Sequence, residues 1–173
     1  MMKLKLYVPG LREMDARQKW LADPATMAYN AGQPFEADGY DAATGCIEFP
    51  MGDWRYWRDV WLWREPNRYS AYLMDEETGT FVGEACYYYD MDSDSHGTGI
   101  LIAAEHRNKG CGTEGRRLLV QQAFHHEEID TLFATLPVDR EDAVRMYLTN
   151  GFREVGCVEG IVRLELKKQE DAR

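Results

Sequence analysis

The residues best suited to chemistry lie in one short stretch, Arg107-Asn108-Lys109-Gly110-Cys111-Gly112-Thr113. It joins a predicted strand to a helix predicted to open near residue 112. Two glycines let the backbone come close to a ligand. The first N–H groups of a helix lack partners and lie at its positive dipole end, so the turn suits an anion. Arg107, Lys109, Arg116 and Arg117 crowd it against Glu105 and Glu114. A pyrophosphate fits such a turn. A Walker A loop needs Gly-Lys-Ser/Thr, and the order Lys109-Gly110 excludes it. Gly110-x-Gly112-x-x-Gly115 fits the dinucleotide fingerprint literally. That fingerprint directly follows a strand in a chain of βαβ units, whereas Glu105 to Lys109 intervene here and the preceding strands read as hairpins.

The elements that must hold this loop follow from hydrophobic periodicity. Residues 3–8 alternate as a strand ended by Pro9-Gly10, and residues 11–21 place Leu11, Met14, Gln18 and Leu21 at helical spacing. Asp23-Pro24 caps a short helical piece through Tyr29, Asn30 to Pro34 is turn-like, and residues 35–50 read as loop. Residues 52–64 predict a helix with Asp53 as N-cap and Trp54, Trp57 and Trp61 three and four apart. Strands at 69–74 and 81–89 form a hairpin around Glu76-Glu77-Thr78-Gly79, and a polar turn, Asp90 to Gly97, leads to a strand at 98–104. A helix at 112–126, a strand at 130–136, a helix at 140–149 and strands at 152–158 and 161–167 complete the order. This is a mixed α/β (α+β) domain with a single sheet.

Arg107-x-x-Gly110-x-Gly112 after Ile100-Leu101-Ile102-Ala103-Ala104 resembles the acetyl-CoA loop of the GNAT superfamily of N-acetyltransferases. In that pattern Arg or Gln stands three residues before the first glycine and a small residue two after it. Residues 138–152, with Ala143, Tyr147 and Gly151-Phe152, are similar to the family's second signature, a helix carrying Tyr shortly before Gly-Phe. Leu21-Ala22-Asp23-Pro24 and Val82-Gly83-Glu84 also fit the family layout. The resemblance covers nearly the whole chain. It implies a GNAT-like fold over residues 1–173, a mostly antiparallel sheet with splayed central strands, and acetyl-CoA as cosubstrate without a metal. In one departure, Arg140 stands where many members carry Asn three residues before the Ala of the second signature. An Arg there reaches an anionic group instead.

By that resemblance, acetyl-CoA lies where strand 98–104 splays from strand 130–136. Main-chain groups near Ile102 and Ala103 pair with the pantetheine arm, and amides from Asn108 to Thr113, in the loop that Arg107 opens, hold the pyrophosphate. A backbone N–H beside the thioester stabilises the oxyanion. Tyr147 matches the family's general acid, and a tyrosine hydroxyl can give its proton to a leaving thiolate. Without the match, Tyr147 reads as a core tyrosine beside Ala143. Glu84 is the candidate base: it is the only charged residue in 81–89, and alternation sets it on one face with Val82, Cys86 and Tyr88. Partial desolvation makes a carboxylate a better proton acceptor. The alternative is a Glu that reaches solvent or pairs with an Arg. His96 is a further candidate, although its place in the polar turn predicts a solvated ring. An ordered water chain is another.

Composition bounds the partners. The chain has 173 residues, 45% hydrophobic and 29% charged, which is a globular composition. Acidic residues number 30 against 20 basic, and a net charge of −10 opposes nucleic-acid binding. Residues 1–95 hold 17 acidic and 9 basic side chains (net −8); residues 96–173 hold 13 and 11 (net −2). The acceptor half is the acidic one, which points to a cationic amine; the alternative is that these acids keep the surface soluble. A peptide N-terminus as acceptor, and a catalytically silent acyl-CoA-binding module, are the competing functions. Cys46, Cys86, Cys111 and Cys157 form no Cys-x-x-Cys pair, and Cys111 at a helix start near basic residues is a candidate for a lowered thiol pKa. His125-His126-Glu127-Glu128 lacks metal-ligand spacing and reads as a solvated helix end. The Trp stripe reads as core; the alternative is that part of it lines the acceptor site, since in the resembled family the helices before the hairpin flank that side. No leader is visible, and no apolar run approaches the ~20 residues of a membrane helix. A cytoplasmic protein is expected, with the closing strands or the Trp helix available to pair two copies.

Overall fold

The computed structural model describes residues 2–34 and 37–169. Phe35 and Glu36, read as loop, lie outside the described residues. In chain order the elements are β1 (Leu4–Tyr7), α1 (Met14–Ala22), α2 (Pro24–Met27), α3 (Met51–Trp61), β2 (Arg68–Asp75), β3 (Phe81–Asp90) and β4 (Ser95–Ile102). Then come α4 (Cys111–Phe124), β5 (Thr131–Pro137), α5 (Glu141–Thr149), β6 (Arg153–Val158) and β7 (Ile161–Lys167). Short 3-10 turns lie at Leu11–Glu13, Ala28–Asn30 and Ala104–His106.

One seven-stranded sheet runs in the order β1-β2-β3-β4-β5-β7-β6. Every neighbouring pair is antiparallel except β4 and β5. Those two pair only at His96↔Leu132 and Gly97↔Phe133. Since β4 runs on to Ile102 and β5 to Pro137, the strands part beyond Gly97. This is the expected splay. It leaves backbone polar groups of both strands facing a gap rather than a neighbour.

Period-2 alternation divides the apolar residues between two faces. Ala71, Leu73, Ala85 and Tyr87 pack with Leu119 and Ala123 of α4 and Tyr147 of α5. Tyr72, Leu101 and Ala103 pack on the other face with Met14, Trp20, Leu21 and Met27 of α1 and α2. Trp54, Trp57 and Trp61 border that second cluster, so the Trp stripe is half-buried rather than deep core.

Four local expectations are corrected. The α3 N-cap is Pro50, and Asp53 lies inside the first turn, where its charge favours the helix dipole. That helix stops at Trp61 because Leu62 turns extended and becomes buried. The β3 strand carries a bulge: register steps from Leu73↔Gly83 to Met74↔Phe81 and leaves Val82 unmatched. Val82 therefore packs with Leu73, Ala85 and Tyr87, not on the face of Glu84. Finally, β4 begins at Ser95, so His96 is a strand residue paired with Tyr89 and only 5% exposed.

Candidate active site

Loop 107–113 is anchored from both sides. The Ala103 N–H donates to Val82 O (3.0 Å), and the Ala104 N–H donates to Thr26 Oγ1 (3.0 Å). Thr26 Oγ1 in turn donates to Asp23 Oδ2 (2.6 Å). Asp23 caps α2, accepting from the Ala25 and Thr26 amides. The Thr26 hydroxyl, those two amides and the Arg107 charge hold its carboxyl below the ordinary range.

The four cations expected to crowd this turn are dispersed. Arg107 donates to three carbonyls, those of Ile102, Ala25 and Thr26. Lys109 Nζ donates to Glu105 O (2.7 Å), and Arg117 forms a two-pronged pair with Glu114. Arg116 points into the interior. What the turn itself offers an anion is its backbone. Gly110 takes a left-handed φ of 80°, and the Glu114 N–H closes the first turn of α4 on Gly110 O (3.0 Å). The amides before Glu114 thus have no partner within the helix. At Gly112 a Cβ would stand 2.8 Å from Met146 Sδ, so this glycine sets the approach of α4 to α5.

A cleft of about 640 Å³ opens beside the loop. Ile102, Arg107, Asn108 and Gly112 line one wall, and Arg140, Ala143 and Met146 line the other. A second cavity of about 350 Å³ adjoins it across the strand splay, sharing Arg140, Ala143 and Met146. Glu84, Cys86, Tyr147 and Arg17 line this second space, so the structure brings both catalytic candidates to one cavity. Ala103 and Cys111 are buried and line neither space; Lys109, Gly110 and Thr113 lie at the surface.

Tyr147 is 6% exposed, with its hydroxyl 3.5 Å from Thr98 O, a long contact just past the last β4–β5 pair. Its ring packs edge-on against Phe152, with centroids 5.0 Å apart. The Arg116 guanidinium carbon lies over the ring, 3.9 Å from its centroid. Burial pushes the Arg116 group below its usual value, partly offset by the Tyr147 oxygen and the Cys86 thiol. No Arg116 nitrogen makes a hydrogen bond of normal geometry.

Glu84 is paired with an arginine. Arg17 Nε donates to Glu84 Oε2 at 3.0 Å, and both side chains are largely shielded. The Arg17 guanidinium lies against the Phe49 and Trp57 rings, 4.5 Å and 4.3 Å from their centroids. Arg140 stacks on Tyr29 at 4.6 Å and borders both cavities. Nothing in the sequence signals Arg17, because only the fold brings α1 onto β3.

His96 is removed from both spaces: its Nε2–H donates to Pro66 O (3.0 Å), and burial pushes its pKa down. Burial raises the Cys111 thiol despite the nearby Lys109, which corrects the expected lowering. The Cys86 thiol is pushed up to about 12 by burial. His126 bonds Glu65 (3.1 Å). Among the described residues no group of three His, Cys, Asp or Glu could hold a metal ion, and no helix is long and apolar enough to cross a membrane.

A family model described as "Acetyltransferase (GNAT) family" matches residues 36–152. No curated protein sequence matches the chain. Among solved structures, the fold is similar to a spermidine N-acetyltransferase from Vibrio cholerae in complex with CoA and spermine. The identity is 15%, 95% of each chain is covered, and the TM-score is 0.70. It is similar to aminoglycoside acetyltransferase AAC(6')-Ib in complex with coenzyme A and kanamycin, at 18% identity, 96% and 95% coverage and a TM-score of 0.72. It is also similar to a GNAT-family acetyltransferase from Bacillus anthracis, at 13% identity, 96% coverage of each chain and a TM-score of 0.71.

Proposed function

The chain belongs to the GNAT acetyltransferase family, and we propose from that premise that it moves the acetyl group of acetyl-CoA onto a primary amine by direct attack. The observation that carries this reading is the meeting of two cavities at the β4–β5 splay, one beside the glycine loop and one holding Tyr147 and Glu84.

The long cleft takes acetyl-CoA. The gap beside β4 suits the pantetheine arm, which pairs with main-chain groups near Ile102 and Ala103 where a strand would otherwise pair. The amides from Asn108 to Thr113 hold the pyrophosphate, and Arg107 locks their loop to α2. Arg140 supplies a cation at the boundary of the two spaces. In the second cavity Glu84 takes a proton from the acceptor ammonium, directly or through water, while Arg17 fixes its carboxylate. Tyr147 gives its hydroxyl proton to the departing sulfur.

The acceptor is a cationic amine in this reading. The acid excess before residue 96 supports it, as do similar structures that contain spermine and kanamycin. The setting is the cytoplasm. A homodimer would use β6, an edge strand whose six residues are all exposed.

Mixing the protein with acetyl-CoA and a panel of polyamines, aminoglycosides, amino acids and peptides, and following free thiol, tests the proposal. Thiol release with a cationic amine is the expected result. Turnover with peptides alone identifies a peptide N-acetyltransferase. Stabilisation by acetyl-CoA without turnover on any amine identifies a silent module.

A further inference from the structure

Arg116 lies on the inner face of α4, four and three residues from Gly112 and Leu119, where the helix pattern asks for an apolar side chain. It has no solvent exposure, and its Nε, Nη1 and Nη2 are all buried without a hydrogen-bond partner. A buried, unpaired cation is costly, and an apolar residue of similar volume is usually the more stable choice. Residues that break a local rule this plainly tend to mark function. Among the described residues its guanidinium lies 3.9 Å from the Tyr147 ring centroid, with Phe152 further off at 6.0 Å, and the Tyr147 oxygen and the Cys86 thiol favour its charge.

We infer that Arg116 is a positioning residue that stabilises the charge developing on Tyr147 during acetyl transfer. This rests on the reading of Tyr147 as the acid. In the step concerned, the O–H bond of Tyr147 breaks and an S–H bond forms on the departing CoA sulfur. The electron pair stays on the phenol oxygen until the hydroxyl regains the proton that the acceptor nitrogen has released. A ring attracts a cation through its π face, and the attraction grows as the ring takes on phenolate character. The low-dielectric setting strengthens it, and because the guanidinium is already in place no reorganisation is needed at the moment of reaction.

The test is a double-mutant cycle of Arg116→Met with Tyr147→Phe in the full-length protein. Arg116→Met alone is expected to melt at the same temperature or higher, keep both KM values within about two-fold, and lose kcat on the order of ten-fold. Added to Tyr147→Phe it is expected to cost no further kcat. Arg116→Lys, which keeps a cation, is expected to recover part of the rate. A Met variant that melts lower or does not fold, or that loses kcat equally in both backgrounds, overturns the inference in favour of a structural arginine. An unchanged kcat in Arg116→Met beside a crippled Tyr147→Phe overturns it and leaves the Tyr147 reading standing. An unchanged kcat in Tyr147→Phe removes that reading and the inference with it.

Discussion

Arg17 Nε meets Glu84 Oε2 at 3.0 Å across 67 positions of sequence, joining the first long helix to the middle of the sheet. Their side chains are 16% and 14% exposed, so the pair is neither a loose surface contact nor a sealed one. Phe49 and Trp57 fix the guanidinium from its faces.

Removing one partner leaves the other charge stranded. Arg17→Met is expected to destabilise the protein by about 1–3 kcal/mol, less than a fully buried pair would lose because water still reaches both groups. Glu84→Gln, whose amide oxygen can still accept from Arg17, is expected to lower kcat/KM by about 10²-fold or more and to lower Tm by less than Arg17→Met does. The double variant should be less destabilised than Arg17→Met alone, which thermal melts can check. Normal turnover in Glu84→Gln would assign proton removal to water.

At the glycine loop, Gly110→Ala puts a Cβ on a residue at φ 80° and is expected to cost about 1 kcal/mol. Gly112→Ala must displace the Met146 sulfur, a flexible end, at a cost of about 1 kcal/mol. Both should raise KM for acetyl-CoA several-fold and leave KM for the amine nearly unchanged. Steady-state kinetics with each substrate varied in turn will show whether the loss falls on the cosubstrate.

Acid stability should fall in two stages. His96 and Asp23 both have pKa values lowered by the fold, so each binds protons more readily in the unfolded chain. The His96 contribution is complete above about 6.5 and fades as pH drops through its folded value; the Asp23 contribution is complete above about 4 and fades below. Melting temperatures should decline below pH 7, and again below pH 4. His96→Gln should flatten the first decline, and Asp23→Asn should reduce the second, which Asp41, Asp90 and Glu114 share because hydrogen-bonding partners hold their carboxyls down as well.

Salt should separate acceptors. If the acid excess before residue 96 steers a cationic amine, kcat/KM for a polyamine drops as ionic strength rises, whereas a neutral amine changes little. Equal responses would assign those acids to solubility alone.

Much of the architecture was legible because its patterns are local. Alternation in β2 and β7 and the Pro9-Gly10 stop after β1 are carried by a few adjacent residues. Asp90 to Ser95 look like turn throughout, which draws His96 into the turn; burial of its ring against Tyr87 and Tyr89 places it in β4 instead. The face of Val82 is hidden from the sequence because a bulge reverses the alternation without any change in composition. The basic residues around the loop read as one charge field, yet Arg107, Lys109 and Arg117 each find a separate hydrogen-bond partner and Arg116 stacks on Tyr147. Arg17 and Arg116 acquire meaning only through contacts made in three dimensions.

The two-rung junction at His96↔Leu132 and Gly97↔Phe133 makes the sheet two antiparallel halves, four strands and three, held by a short seam. A pantetheine arm lying along β4 would complete that seam as a substitute strand. The substrate is then a structural member of the fold for as long as it is bound. Amide exchange along β4 beyond Gly97 should slow with CoA present and quicken on its release, so turnover is a cycle of splinting and unsplinting the sheet.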